Sequence, residues 1–162
     1  MKNKLVFLMV SLLLLPSAMM SQDRTKSLER VSDDLKFQNA KRFIRISMHD
    51  KAVEELSEYL EIFNNGIHRD EAFRLIGDLY FERLDYLRAI KNYRALYEEF
   101  TSTEAGVEAY FKIGICYKKM GYDGRAVEIF QEIIQYHPDS SYAHHAEVQL
   151  DTLGILNEDE KK

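Results

Sequence analysis

Ala52, Ala89 and Ala126 stand 37 residues apart, each inside the same surrounding pattern, and that period restricts the chain to an array of one repeated supersecondary unit. Ala72, Ala109 and Ala146 keep the same interval and carry the pattern past Pro138. On both sides of the break at Gly121 to Gly124, apolar residues recur three and four apart, as the buried stripe of an amphipathic helix requires. The unit is therefore two helices joined by a tight turn. The expected fold is all-α, a solenoid of about three helix hairpins closed by a C-terminal capping helix.

The spacing is clearest in Tyr110, Ile113, Gly114, Tyr117, Gly121, Ala126, Phe130 and Pro138. One period earlier it reads Phe73, Ile76, Gly77, Tyr80, Ala89 and Tyr93, with Asp85 placed to cap the second helix. Gly77 and Gly114 let the two helices of a hairpin approach, Ala89 and Ala126 offer the matching small surface, and Tyr80, Tyr93, Tyr117 and Phe130 fill the space around it. The first copy, around Lys36 to Asn64, keeps Ala40, Phe43, Ala52, Leu56 and Leu60 but has Lys36 and Asn39 at apolar positions. Loss of apolar character is expected at the open end of an array. Between hairpins, Thr101-x-x-Glu104 has the form of a capping box. After Pro138, Asp139 and Ser140 are placed as caps. Leu150 and Leu153 hold packing positions there, while Glu147 and Asp151 replace the aromatic and the glycine, so the last helix should face solvent.

These residues at these offsets resemble the tetratricopeptide repeat, with a period three residues longer than the usual ~34. The period, and the run Tyr136-His137-Pro138-Asp139-Ser140-Ser141-Tyr142-Ala143 followed by Ala146 and Leu150, is similar to a bacterial envelope subgroup of these repeats. That subgroup includes BamD and the Tol-Pal-associated YbgF/CpoB. The resemblance covers about residues 34–156. It implies a non-catalytic periplasmic scaffold that holds a segment of another envelope protein in its concave groove, in envelope assembly or Tol-Pal-type coordination. The implied division is repeats at about 34–66, 70–103 and 107–139, a capping helix at 140–156, a linker or helix lead-in at 22–33 and an acidic tail at 157–162.

Lys2 and Lys4 precede an apolar run from Leu5 to Leu15 that ends at Pro16, Ser17 and Ala18, the layout of a secretory signal peptide over residues 1–21. An uncleaved anchor is the competing reading, but eleven apolar residues at about 1.5 Å each span about half of a ~30 Å hydrocarbon core. No cysteine stands near the junction to accept a lipid, so a periplasmic or secreted protein without a stable membrane span is expected. Cleavage removes two positive charges from a chain whose net charge is −5, a poor starting point for nucleic-acid binding. Cys116 is the only cysteine, so no internal disulfide can form, and its register places it in the packing of a helix.

Catalysis finds no support in the motifs. Glu54 with Glu55, Glu98 with Glu99 and Asp159 with Glu160 are sequential pairs whose members diverge around a helix. His144 and His145 are neighbours rather than three or four apart, so they do not form a helical metal pair, and no cofactor is implied. What the packing leaves free is the inner face of the first helix of each hairpin. The register projects Phe37, Lys41 and Arg45, then Glu71, Arg74, Asp78 and Glu82, then Phe111, Ile115, Lys118 and Lys119 onto it. Phe111 and Ile115 are expected as an apolar anchor for a partner segment, with Lys41, Arg45, Arg74 and Lys118 pairing with its acidic groups. A small-ligand or lipid carrier serving an envelope transporter is the alternative, and it requires an aromatic-lined chamber. A homo-oligomer packed through Leu35, Phe37 and Ile44 is a third reading.

Overall fold

The computed structural model describes the backbone of residues 2–154 and the side chains of residues 24–154. Among these, seven helices run in order: α1 (Lys2–Arg45), α2 (His49–Ile62), α3 (Arg69–Glu82), α4 (Tyr86–Glu99), α5 (Glu104–Lys119), α6 (Asp123–Tyr136) and α7 (Ser141–Thr152). The leader's side chains and the acidic tail 157–162 lie outside the described residues, while 22–33, expected as a linker or lead-in, is helix continuous with α1. Among the described residues no helix is long and apolar enough to cross a membrane.

Each helix packs on the next, and α5 also touches α3 and α7. Direct contact between successive first helices puts them on the inner side of the array and α2, α4 and α6 outside. The alanine rows explain this stacking. Ala52, Ala89, Ala126, Ala72, Ala109 and Ala146 are all fully or almost fully buried, together with Leu56, Tyr93, Phe130, Ile113 and Leu150. Gly77 and Gly114 sit against the rings of Tyr93 and Phe130. A Cβ at these positions would lie 2.4 Å and 2.6 Å from ring carbons that are themselves buried. The glycines therefore face the large aromatics of the second helix, while in the first hairpin buried Ala40 and Leu56 hold the same two registers.

The turn inside each hairpin repeats atom for atom. Ser47, Leu84 and Gly121 all have positive φ, at 58°, 61° and 77°. The amides of Ser47, Leu84 and Gly121 donate to Ile44, Phe81 and Lys118, and those of Met48, Asp85 and Tyr122 donate to Phe43, Tyr80 and Tyr117. This is a Schellman motif three times over. A cation covers an aromatic beside each turn: Lys51 over Phe43 at 5.9 Å, Arg88 over Tyr80 at 5.5 Å and Arg125 over Tyr117 at 5.5 Å.

Caps differ from expectation at one helix. Asp85 accepts from the Arg88 amide as the sequence implies, and Ser140 accepts from the Tyr142 amide. For α5, however, the N-cap is Thr103, which accepts from the Gly106 amide at 3.1 Å. Thr101 instead donates to the Tyr97 carbonyl, closing the end of α4, and Glu104 is free of any box. Its carboxylate takes the Ser140 hydroxyl, the Ser141 amide and the Ser141 hydroxyl, and so clamps the start of α7 to the start of α5.

Candidate functional site: the inner face of the first helices

Across the inner face, six charged side chains form one connected ladder. Lys41 of α1 reaches Glu71 of α3 at 3.0 Å, Glu71 lies 3.9 Å from Arg74, and Arg74 bonds Asp78 at 3.2 Å. Lys112 of α5 then reaches Asp78 at 2.7 Å and Glu108 at 3.2 Å. Tyr93 adds a hydroxyl donor to Asp78 from the outer helix, at 2.7 Å. Burial and the Asp78 carboxylate together push the Tyr93 hydroxyl far above its ordinary pKa, so it stays a donor. The six side chains are 26–38 % exposed: reachable from solvent, yet held in place by neighbours on three consecutive first helices.

The projected site residues separate into three groups. Lys41, Arg74 and Asp78 do lie together, but as partners of one another and of Lys112 and Glu108, which the register projection left out. Lys112 was legible as the residue four after Glu108; its reach to Asp78 across 34 positions was not. Phe37 is not a groove residue. It is 1 % exposed, stacked on His68 at 4.3 Å between ring centres and tilted against Tyr59, because the turn after α2 folds His68 back over it. Phe111 is no free anchor either. It is half-buried beneath α7, with Tyr142 at 5.4 Å and His145 at 6.0 Å, and it rests on Phe130. Ile115 beside it is half-buried, packed against the same core. Lys118 is engaged with Gln149 and Thr152 of α7, and Arg45 is exposed at the end of α1, near the first turn.

One buried carboxylate escaped the sequence reading. Asp33 lies inside α1, where it accepts from the Tyr59 hydroxyl at 2.6 Å and the Ile67 amide at 2.9 Å, pinning the turn after α2. Arg69 does the same work for the other side of that turn. It grips Glu99 through two nitrogens at 2.6 and 2.7 Å and donates to the Leu60 and Phe63 carbonyls. Cys116 is fully buried, and burial pushes its thiol up to about 12. Among the described residues, no group of three His, Cys, Asp or Glu is arranged to hold a metal ion.

Residues 108–140, which span most of α5 and all of α6, match the tetratricopeptide repeat profile. The fold is similar to the crystal structure of MamA, at 21 % identity over 80 % of this chain and 72 % of that one, with a TM-score of 0.59. No curated protein matches this chain by sequence. The repeated Schellman turns and the small-against-large helix contacts are thus joined to a family match at the hairpin where the sequence pattern is most complete. Residues 108–140 match a tetratricopeptide repeat, and they lie within an α-solenoid of like helix hairpins.

Proposed function

We propose that this protein is a non-catalytic adaptor whose inner face binds a segment of another protein. The supporting observation is the ladder from Lys41 to Glu108: alternating charges on α1, α3 and α5, half-exposed and already held in one geometry by ion pairs. Side chains fixed before binding lose little rotamer freedom when a partner arrives, so each polar contact keeps more of its worth. Because the ladder is internally neutral, a partner would be selected by where its polar groups fall rather than by bulk charge. The signal-peptide layout of residues 1–21 supports a place for this activity in the periplasm or outside the cell, with an envelope protein as the proposed partner. The aromatic rings that a carrier would array around a chamber are instead packed on each other, as with Tyr97 on Tyr110 at 4.4 Å and Phe111 on Phe130.

Photo-crosslinking in the cell of origin tests this reading. Arg74→benzoylphenylalanine, on the ladder, is compared with Glu128→benzoylphenylalanine, exposed on the outer helix α6. A discrete protein adduct from position 74 that is missing from position 128 is the expected result. Identical products from the two positions would remove the inner face from consideration.

A further inference from the structure

The turns inside the hairpins lie side by side along one edge of the array, since α1, α3 and α5 all end there. That edge is apolar at every step. Ile46 and Met48 are exposed at the first turn, Leu84 and Leu87 at the second with 70 % and 71 % of their surface open, and Tyr122 at the third. Leu84 is the most telling of these. It occupies the positive-φ position that Gly121 fills in the next hairpin, a backbone conformation in which a leucine is strained and a glycine is not. At 70 % exposure, its side chain gains little burial in return. Strain retained at an exposed apolar tip points to a use outside the fold.

The same edge is basic in a protein that is acidic as a whole. The windows 42–51, 79–88 and 116–125 hold eight Lys or Arg and four Asp or Glu, against one and five in the windows 60–69, 97–106 and 134–143 at the opposite edge. Arg42, Arg45, Lys51, Lys119 and Arg125 are exposed among the eight. Apolar loop tips in a row, a tyrosine among them, with lysines and arginines beside them, match the layered chemistry of a lipid interface: hydrocarbon below, anionic phosphate above. Apolar side chains presented at loop tips also suit a planar surface, whereas a peptide or helix would need a groove.

We infer that this turn edge docks on an anionic lipid surface, with Ile46, Met48, Leu84, Leu87 and Tyr122 entering the headgroup layer and the flanking cations meeting lipid phosphates. The inner face would then stand clear of the surface, open to a protein partner. This inference does not depend on the adaptor reading, and the two tests can fail separately.

The chain contains no tryptophan, so one introduced indole reports on one edge. Tyr122→Trp on the proposed edge and Tyr136→Trp on the opposite edge are titrated with vesicles of phosphatidylcholine alone and of phosphatidylcholine with phosphatidylglycerol in equal parts. The full chain is used for both, so any association through the leader is common to the two. A blue-shifted emission for Tyr122→Trp with the anionic vesicles, weaker with the neutral ones and lost in high salt, with no comparable shift for Tyr136→Trp, is expected. Adding Leu84→Gly and Leu87→Ser to the Tyr122→Trp chain should weaken vesicle affinity by about tenfold while thermal unfolding shows the fold retained. No shift for Tyr122→Trp with anionic vesicles, or an equal shift for Tyr136→Trp, overturns the inference and leaves the edge to a protein surface.

Discussion

Gly114 has no room for a single methyl group, because the Phe130 ring occupies the place where its Cβ would be and is itself fully enclosed. Gly114→Ala would raise helix propensity by about 1 kcal/mol, yet overpacking a filled contact costs about 1–3 kcal/mol. A lower melting temperature by calorimetry is expected, and Gly77→Ala against Tyr93 should behave alike. Leu84→Gly should go the other way. Relief of a left-handed leucine, about 1–2 kcal/mol, outweighs the extra entropy of the unfolded glycine, about 0.5–1 kcal/mol, so urea unfolding should shift to higher concentration. Cys116, with its thiol raised to about 12 and no exposed surface, should resist thiol reagents until the protein is unfolded. At this scale the sequence was informative about sizes but not about covering. Phe37, Arg74, Phe111 and Val148 share one register, yet Phe37 is buried and Val148 is exposed. The difference lies in what the neighbouring segment brings: His68 over Phe37, Tyr142 and His145 over Phe111, and nothing comparable over Val148 among the described residues. Periodicity gives an angle on a helix. It does not say which residue of the next hairpin arrives there.

The helices α2 to α6 were legible because each carries an amphipathic stripe, which α1 and α7 carry only weakly, and the turns because Gly121 and Asp85 mark them. The first two turns were less so, since Ser47 and Leu84 stand in a glycine's place. The start of α7 is clamped by a single carboxylate. Hydrogen bonds from Ser141 and Ser140 hold the Glu104 carboxyl below its ordinary value of 4.5, so the clamp's contribution is complete above that pH. It is lost as the pH falls through the lowered folded value, where the unfolded carboxyl is already protonated. Amide protection factors in α7, corrected for the intrinsic pH dependence of exchange, should therefore fall on acidification before those of α3 and α4, and Glu104→Ala should show the lowered protection at neutral pH. Protection of α7 that is unchanged in that variant would mean that Ala143, Ala146 and Leu150 suffice to seat the helix. At the other end of the array, Asp33→Ala removes the acceptor of both the buried Tyr59 hydroxyl, which keeps only the His68 amide, and the Ile67 amide. A loss of about 1–3 kcal/mol is expected in chemical unfolding.

The molecule as a whole has two unlike edges and an inner face between them. One edge is basic and the other acidic, both with exposed apolar side chains, and the ladder on α1, α3 and α5 is neutral in itself. Partner binding at the ladder should accordingly change little with ionic strength, while vesicle association through the turn edge should fall steeply, a contrast that one salt titration can read in both assays. The repeat that encodes this layout is exact along the backbone. Positive φ recurs at 47, 84 and 121, and the outer helices close on the same hydrogen bonds at Phe63, Phe100 and His137. Residues 86–122 could therefore be copied in tandem, since position 123 follows 122 in the register by which 86 follows 85. Nearest-neighbour coupling predicts that such a chain melts at a higher temperature. Unequal recombination within a gene of this kind would return readable, foldable products, so the reach of the array can be lengthened or shortened by copying alone, with no new contact to invent.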